Sequence, residues 1–196
     1  HTGSLAAALP PGSAEVEAML TRLDAGITVS YDPNIRPGLL TDPATERARV
    51  ERQIGHADLV KASAADLAWL YPDTDPLAAD GRWLDRQPAL VVVTRGPLGS
   101  VALTGDAVAS VPAMPVEVVD AVGAGDAFTA ALLAGLDRAG LLGPQWPTAG
   151  LPTAVLTSLL TAANAAAALT CTRAGADPPT SSELSRALPA PPDPGG

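Results

Sequence analysis

The 196-residue sequence predicts an α/β fold with a mainly parallel sheet. Segments with apolar residues at helical spacing alternate along the chain with short segments rich in β-branched residues. One apolar segment, residues 89–94 (Ala-Leu-Val-Val-Val-Thr), is typical of a strand that is covered on both faces. A glycine-rich segment, residues 120–126, lies between an expected strand and a long expected helix, as in many α/β ligand sites.

The predicted helix at residues 13–26 carries a stripe of apolar side chains, and the helices that start at Ser13, Asp42 and Ser63 begin at capping residues. At one start, Ser63 and Asp66 have the spacing of a capping box, in which each side chain bonds the backbone amide of the other. Residues 153–172 are uncharged and rich in alanine, but they hold too many polar residues for a good membrane span, so a buried helix is expected. Helices are predicted at residues 13–26, 42–56, 63–71, 75–87, 123–139, 153–172 and 181–188.

The predicted strands are short and are followed by turn residues. In open α/β sheets, ligands bind beyond the carboxyl ends of the strands. Four such ends are candidates for a site: residues 32–36, 61–66, 94–99 and 120–126. Strands are predicted at residues 27–31, 58–62, 89–94, 100–103, 107–111 and 116–119.

Composition excludes several classes of function. The chain holds 12 Lys and Arg against 21 Asp and Glu, a net charge of −9, whereas a protein that binds nucleic-acid phosphates needs clustered basic residues. Aromatic residues make up only 3%, which argues against stacking on single-stranded bases. The single cysteine, Cys171, excludes an internal disulfide, and the two histidines, His1 and His56, make a histidine metal site improbable.

The glycine-rich segment is the strongest candidate site. In residues 120–126 (Asp-Ala-Val-Gly-Ala-Gly-Asp), glycines allow close approach, and the free amides and dipole of the following helix favour an anion. Asp126, in the first helical turn, would stand beside that anion and could take a proton from a hydroxyl group. This arrangement fits phosphoryl transfer to an alcohol. The alternative is a packing turn in which Asp126 only favours the helix start, by about 0.3–1 kcal/mol.

Five segments, in order and spacing, resemble the ribokinase-like (PfkB) sugar kinases. No P-loop, dinucleotide-binding glycine motif or protein-kinase motif is present. The resemblance covers roughly residues 3–178 and implies a three-layer α/β/α fold with a mainly parallel sheet. The segments are residues 31–37 (Tyr-Asp-Pro-Asn-Ile-Arg-Pro), 59–67 (Leu-Val-Lys-Ala-Ser-Ala-Ala-Asp-Leu), 93–99 (Val-Thr-Arg-Gly-Pro-Leu-Gly), 120–126 and 164–176.

The resemblance implies a role for each matching residue. Asp126 would be the catalytic base, and the amides of Gly123, Ala124 and Gly125 would form the hole that holds the transferred phosphoryl group. The residues expected along the nucleotide are Lys61, Thr94, Gly96, Gly99 and Asn164. Asn34 and Arg36 would lie near the sugar or the phosphates, and Ser63 and Asp66 would organise Mg²⁺ through water.

Simpler structural roles exist for several of these residues. Ser63 and Asp66 can serve as a capping box with no role in metal binding. Lys61 could be a solvated lysine at a strand end, and Arg36 could be a surface arginine. The glycines around Pro97 could merely form a turn, and a buried Asn164 could bond the backbone rather than adenine. The sequence also departs from the family pattern: it has Ala121 where Thr is usual, Ser63 where Asn is commoner, and Pro178-Pro179 in the C-terminal loop.

The implied activity is ATP-dependent phosphoryl transfer to a sugar hydroxyl, with a fructokinase-like substrate and Mg²⁺. The alternatives are a 2-keto-3-deoxygluconate, ribose or nucleoside kinase, or a nucleotide-binding module without catalysis. A monovalent cation, a homodimer of the full-length protein and a cytoplasmic location are compatible with this family, with no nucleic-acid or membrane partner.

Family members are longer than this chain, and the sequence begins at His1 without a recognisable signal peptide. Residues 1–188 are therefore expected to be the C-terminal, nucleotide-binding portion of such a kinase, with the N-terminal strands and lid missing. The Pro- and Gly-rich residues 189–196 are expected to be a disordered tail. The chain by itself is expected to be inactive, and its incomplete sheet would expose an edge.

Overall fold

A computed structural model describes residues 1–24, 26–40, 42–74, 82–147 and 150–188. Its centre is a six-stranded sheet in which the strands lie side by side in the order of the sequence. The first four strands are parallel, and the last two return in antiparallel pairing. The strands are β1 (Thr2–Gly3), β2 (Ser30–Asp32), β3 (Leu59–Ser63), β4 (Leu90–Thr94), β5 (Ser100–Leu103) and β6 (Val108–Val111).

Helices cover both faces of the sheet, which confirms the predicted three-layer α/β/α class. The first four helices pack on one face, and the next two pack against each other on the opposite face. The helices are α1 (Ser4–Ala8), α2 (Gly12–Leu20), α3 (Pro43–Ile54), α4 (Ala64–Leu70), α5 (Ala124–Arg138), α6 (Thr153–Cys171) and α7 (Ser181–Ala187).

The apolar residues of β3 and β4 alternate between two hydrophobic cores. Because successive side chains of a strand point to opposite faces, an uninterrupted apolar strand supplies both layers at once. The side chains of Leu59, Leu90 and Val92 enter the core beneath α5 and α6. Those of Val60, Val91 and Val93 enter the core beneath α1 to α4.

Local signals in the sequence explain several element starts. Asp42 caps α3, where its carboxylate accepts the amide hydrogen of Thr45 at 2.9 Å. Ser63 and Asp66 form the complete capping box predicted for α4. α6 is long and apolar enough to cross a membrane, but half of it is buried within the protein, as expected for a core helix.

Four predicted elements differ from the structure. Residues 116–119 are not a strand, because Val119 donates its amide hydrogen to the Cys171 carbonyl at the end of α6 instead of to a neighbouring strand. The predicted helix 13–26 ends at Leu20, and the predicted strand 27–31 begins only at Ser30. Of the predicted helix 75–87, residues 75–81 lie outside the described residues, and residues 82–84 are helical. The predicted tail, residues 189–196, also lies outside them.

Candidate active site

The carboxyl ends of the central strands meet at one edge of the sheet and carry the candidate residues. The parallel register places Ser63, at the end of β3, opposite Thr94, at the end of β4. Asp32 ends β2, which is the neighbour of β3 on its other side. The start of α5 lies at the same edge, since a β-carbon on Gly125 would be 3.3 Å from Nζ of Lys61 in β3.

The glycyl bend, residues 120–126, adopts the geometry that its glycines predict. Gly123 has φ of 78° and ψ of −5°, a left-handed conformation that glycine adopts without strain, and it is the N-cap of α5. The first turn of a helix leaves its amides without intrahelical acceptors, so the positive end of α5 faces the strand edge. Of the three amides expected to hold the phosphoryl group, that of Ala124 donates to the Ala121 carbonyl over 3.3 Å, a long bond.

Asp126 is exposed in the first turn of α5. Within the described residues its carboxylate makes no hydrogen bond and no ion pair. The neighbouring hydroxyl of Thr129, three residues further along the helix, donates to the Gly125 carbonyl at 3.0 Å and not to the Asp126 carboxylate. Asp126 is therefore accessible to a hydroxyl group brought to the bend, as a general base must be.

Lys61 is buried rather than solvated. Its side chain is 6% exposed, and its ammonium donates to Oδ2 of Asp32 at 2.8 Å. Burial raises the pKa of the Asp32 carboxyl above its ordinary value, and the Lys61 ammonium acts in the opposite direction. The structure thus excludes the interpretation of Lys61 as a solvated lysine and places its charge beside Gly125.

Asp120 connects the glycyl bend to the C-terminal loop. Its Oδ1 accepts the amide hydrogen of Val122 at 3.0 Å, and its Oδ2 accepts that of Gly175 at 2.9 Å. These backbone hydrogen bonds, that from Val122 foremost, lower the pKa of the Asp120 carboxyl. Ala176 packs so closely on the bend that a β-carbon on Gly123 would be 2.7 Å from its own β-carbon.

The loop after β4 lies beside the same edge. Residues Gly96–Leu98 form a short 3₁₀ turn, and both Gly96 and Gly99 have positive φ, of 56° and 84°. A β-carbon on Gly96 would meet open space, whereas one on Gly99 would overlap the carbonyl oxygen of Val111. Gly99 is therefore required by packing, and Gly96 leaves the space outside the loop free.

Asn164 lies in α6 beneath this loop. It is buried, and its side-chain oxygen accepts the hydroxyl hydrogen of Ser100 at 3.0 Å. Its side-chain nitrogen donates to the carbonyls of Val111 and Pro112, both at 3.2 Å. These contacts give Asn164 a structural role within the protein, and its predicted approach to adenine stays a prediction.

The loop after β2 folds back on itself. Asn34 has φ of 43°, and its amide hydrogen is accepted by Oδ1 of Asp32 at 3.0 Å. Arg36 is exposed and donates to the carbonyls of Asn34 and Ile35, at 3.3 and 3.2 Å. The structure thus brings Asn34 to the edge that holds Lys61, through the shared carboxylate of Asp32.

Ser63 and Asp66 do not fit as direct ligands of Mg²⁺. Oδ1 of Asp66 accepts the amide hydrogen of Ile35 at 2.8 Å, and Oδ2 accepts the amide and hydroxyl hydrogens of Ser63 at 2.8 and 2.6 Å. Both oxygens of this buried carboxylate are therefore in use. No group of three or more His, Cys, Asp or Glu side chains that could hold a metal ion occurs in the described part of the chain.

Asp32 and Asp120 are the site residues that sequence reasoning missed. Both lie within segments that the sequence singled out, residues 31–37 and 120–126, but neither residue was given a role there. An acidic residue next to a turn is a weak signal, since Asp commonly bonds nearby backbone amides. Only the tertiary contacts, to Lys61 and to Gly175, distinguish these two carboxylates from ordinary turn residues.

The mostly parallel sheet, the covered faces and the glycyl bend at its carboxyl edge define a class, the ribokinase-like α/β proteins. Solved structures of that class superimpose on the chain. A Vibrio cholerae O395 fructokinase with fructose, ADP and calcium ion bound is 31% identical, with 96% of this chain and 60% of that chain covered and a TM-score of 0.82. A Xylella fastidiosa fructokinase with bound ATP is 27% identical, with 94% and 59% covered and a TM-score of 0.82.

The chain belongs to the pfkB family of carbohydrate kinases, whose family model matches residues 3–183. A fructokinase of Rhizobium leguminosarum bv. trifolii is 42% identical over 144 residues, which are 72% of this chain and 44% of the relative. A fructokinase of Salmonella thompson is 39% identical over 178 residues, 90% of this chain and 77% of the relative. The chain spans about half the length of most of the curated relatives it matches.

Proposed function

We propose that this chain carries the nucleotide-binding and proton-accepting part of an ATP-dependent sugar kinase. The observation that carries the proposal is the exposed Asp126 carboxylate, which lies in the first turn of a helix whose glycyl start adjoins a buried lysine. A base for an alcohol and a positive environment for a phosphate are thereby combined at one strand edge. Phosphoryl transfer needs chiefly such positioning and charge stabilisation.

In the proposed reaction, the acceptor hydroxyl loses its proton to the carboxylate of Asp126. The hydroxyl oxygen forms a bond to the γ-phosphorus of ATP as the bond from that phosphorus to the β–γ bridging oxygen breaks, and ADP leaves. The amides of Gly123 and Gly125 and the ammonium of Lys61 would stabilise the negative charge of the group in transfer. Asp126 subsequently releases its proton to solvent.

The nucleotide is proposed to extend from the bend along the loop after β4. Gly96 leaves open space there, and Thr94 ends the strand beside Ser63. Mg²⁺, which shields the phosphate charge when bound, is proposed to be held mainly by the phosphates, with Ser63 and Asp66 acting through water. Binding of a monovalent cation is a further proposal, and cation-binding measurements test it.

The acceptor is proposed to be fructose or a closely similar sugar. The relatives and solved neighbours with the higher identities are named fructokinases, and one was solved with fructose bound. Asn34 and Arg36 are proposed to contact the sugar or the phosphates. Because the chain spans about half of most curated relatives, the 196-residue chain alone is proposed to bind nucleotide without phosphorylating sugar.

The test begins with calorimetric titration of the chain with ATP and MgCl₂, followed by an assay of ADP release with fructose. In the 196-residue chain, Asp126→Asn should retain ATP binding. In a protein as long as the relatives, the same substitution should lower turnover by about 10²–10⁴-fold, the usual contribution of a general base. Asp137→Asn is the matched control, since this exposed carboxylate lies at the opposite end of the same helix.

Unchanged turnover of the full-length Asp126→Asn variant, with nucleotide binding intact, would reject the assignment of the base. ATP binding without turnover in the unmodified full-length protein would favour a nucleotide-binding module. Sugar phosphorylation by the 196-residue chain would contradict its proposed dependence on further residues.

A further inference from the structure

The carboxylate of Asp32 touches both halves of the proposed site. Its Oδ2 accepts a hydrogen bond from the Lys61 ammonium at 2.8 Å, on the side of the glycyl bend. Its Oδ1 accepts the amide hydrogen of Asn34 at 3.0 Å, in the loop that also carries Arg36. One buried side chain therefore connects the phosphate side of the edge to the loop proposed to meet the acceptor.

The surroundings hold this carboxylate in place. Asp32 is 4% exposed, and its backbone is in such close contact with Gly3 of β1 that a β-carbon on Gly3 would overlap the Asp32 carbonyl oxygen. Asn34 holds a left-handed conformation, uncommon for a residue with a side chain, which the bond to Oδ1 supports. Movement of the carboxylate would therefore disturb the loop and the ammonium together.

Stability of the fold gives little reason for this ion pair. Burial of two charges costs solvation free energy, and the attraction between the charges often only just offsets that cost. Apolar residues of similar volume commonly stabilise a core equally well. The pair is found instead where the ammonium adjoins Gly125, at the start of α5. A further acid whose charge acts on Asp32, Asp66, is already bound to Ser63 and to the amide of Ile35, in the same loop as Asn34.

We infer that Asp32 is a positioning residue that couples the anion site at Gly125 to the loop of Asn34 and Arg36. An anion that draws the Lys61 ammonium towards the bend changes its bond to Asp32, and the loop responds through Oδ1. Coupling between two sites is reciprocal. An acceptor bound at the loop would therefore raise the affinity for the anion by the same factor by which the anion raises the affinity for the acceptor. The inference rests on the proposed function for the identity of the anion as a nucleotide phosphate.

The test uses the 196-residue chain, ATP with MgCl₂ as the probe, and amide resonances in NMR spectra as the readout. In the wild-type chain, ATP should shift the resonances of both Gly125 and Asn34. Asp32→Asn, which removes the charge but keeps the shape, no longer holds the Lys61 ammonium in place beside Gly125 and should for that reason weaken ATP binding about tenfold, within the range of typical coupling. In that variant ATP should still shift Gly125 but no longer shift Asn34, a loss that a merely structural role would not cause.

Asp58→Asn is the matched control, because Asp58 also accepts a backbone amide hydrogen, that of Val29 at 2.7 Å, but lies before the opposite end of β3. It should leave ATP affinity and both responses unchanged. An Asp32→Asn chain that binds ATP with wild-type affinity and retains the Asn34 response would overturn the inference.

A second variant separates this inference from the proposed function and covers a failure to fold. Lys61→Met should shift the Asn34 resonance without any nucleotide, because the charge that fixes the Asp32 carboxylate is gone. If the wild-type chain binds no ATP, the proposed function fails, and the Lys61→Met spectrum alone decides the coupling. An unmoved Asn34 resonance in that spectrum would overturn the inference.

Discussion

The carboxylate of Asp120 accepts the amide hydrogen of Gly175 at 2.9 Å, across a sequence separation of 55 residues. The same side chain accepts the amide hydrogen of Val122 at 3.0 Å within the glycyl bend. A single half-buried carboxylate therefore holds the bend and the C-terminal loop in one arrangement. The contact of Ala176 with Gly123 depends on that arrangement.

Replacement of this carboxylate should loosen the loop without unfolding the protein. Asp120→Ala removes both acceptors, so the Gly175 amide should exchange faster with solvent and ATP affinity should fall several-fold. Hydrogen exchange and calorimetric titration measure the two effects. Asp106→Ala, which removes a carboxylate from the β5–β6 turn, is the control. Wild-type exchange at Gly175 in Asp120→Ala would show that the bond does not order the loop.

Three glycine-to-alanine variants should separate backbone strain from steric overlap. Gly105→Ala meets no atom and has no positive φ, so stability should be close to wild type. Gly140→Ala, with φ of +66° and open space, should lose about 1 kcal/mol from strain alone. Gly123→Ala, with φ of +78° and a contact of 2.7 Å to Ala176, should lose more, about 2–3 kcal/mol.

Urea unfolding measures this order of stabilities. Gly123→Ala should also weaken ATP binding, because the C-terminal loop must move away from the bend, whereas Gly140→Ala should not. Equal stabilities for Gly123→Ala and Gly140→Ala would show that the loop accommodates the added methyl group without cost.

Asn164 should contribute strongly to stability through its buried amide. Asn164→Ala leaves the buried Ser100 hydroxyl without its acceptor and removes the amide donor from two carbonyls, and an unsatisfied buried group costs about 1–3 kcal/mol. Ser100→Ala removes only one of these bonds, so its loss should be smaller, and the double variant should show coupling in a thermodynamic cycle. Additive losses in the double variant would contradict the hydrogen bond between Ser100 and Asn164.

The C-terminal helix should loosen in acid. Hydrogen bonds from Thr180, foremost that of its backbone amide, and from Arg173 lower the pKa of Glu183 from its usual value of 4.5 to about 2. A carboxyl whose pKa is lower in the folded state contributes stability above its unfolded pKa, and that contribution is lost as the pH falls. The docking of α7 should therefore weaken between pH 4.5 and about 2.

Amide exchange in α7, measured from pH 6 to pH 2, checks this dependence. Arg173→Met should raise the pKa of Glu183, because the ion pair between the two side chains at 2.6 Å is lost. Glu183→Gln should abolish the dependence on pH. A Glu183→Gln chain whose α7 still loosens over the same interval would assign the effect to another group.

Local sequence patterns sufficed for the elements that depend on near neighbours. The capping box of Ser63 and Asp66, the apolar strand β4 and the hairpin of β5 and β6 each follow from residues within a short window. β1 could not be predicted in this way, because its two residues form a strand only through pairing with β2. The strand predicted at residues 116–119 was wrong for the converse reason: their valines suit a strand, but no strand among the described residues pairs with them.

In the candidate site, too, features set by near neighbours could be predicted, whereas features set by distant contacts could not. The glycyl bend and the place of Asp126 in the first turn of its helix were predictable, because glycine and helix-start chemistry act locally. The burial of Lys61 was not, since a lysine at a strand end is usually solvated and only the partner Asp32 makes burial tolerable. Roles that arise from contacts between distant segments need the folded chain.

The alternation of side chains between the two cores along β3 and β4 limits how this gene can change. A codon gained or lost within either strand would turn the following side chains of that strand to the wrong layer, and a change in β3 before position 61 would place Lys61 on the opposite side of the sheet. Natural variation in length should therefore accumulate in the connections, such as residues 140–147, and leave both central strands at constant length.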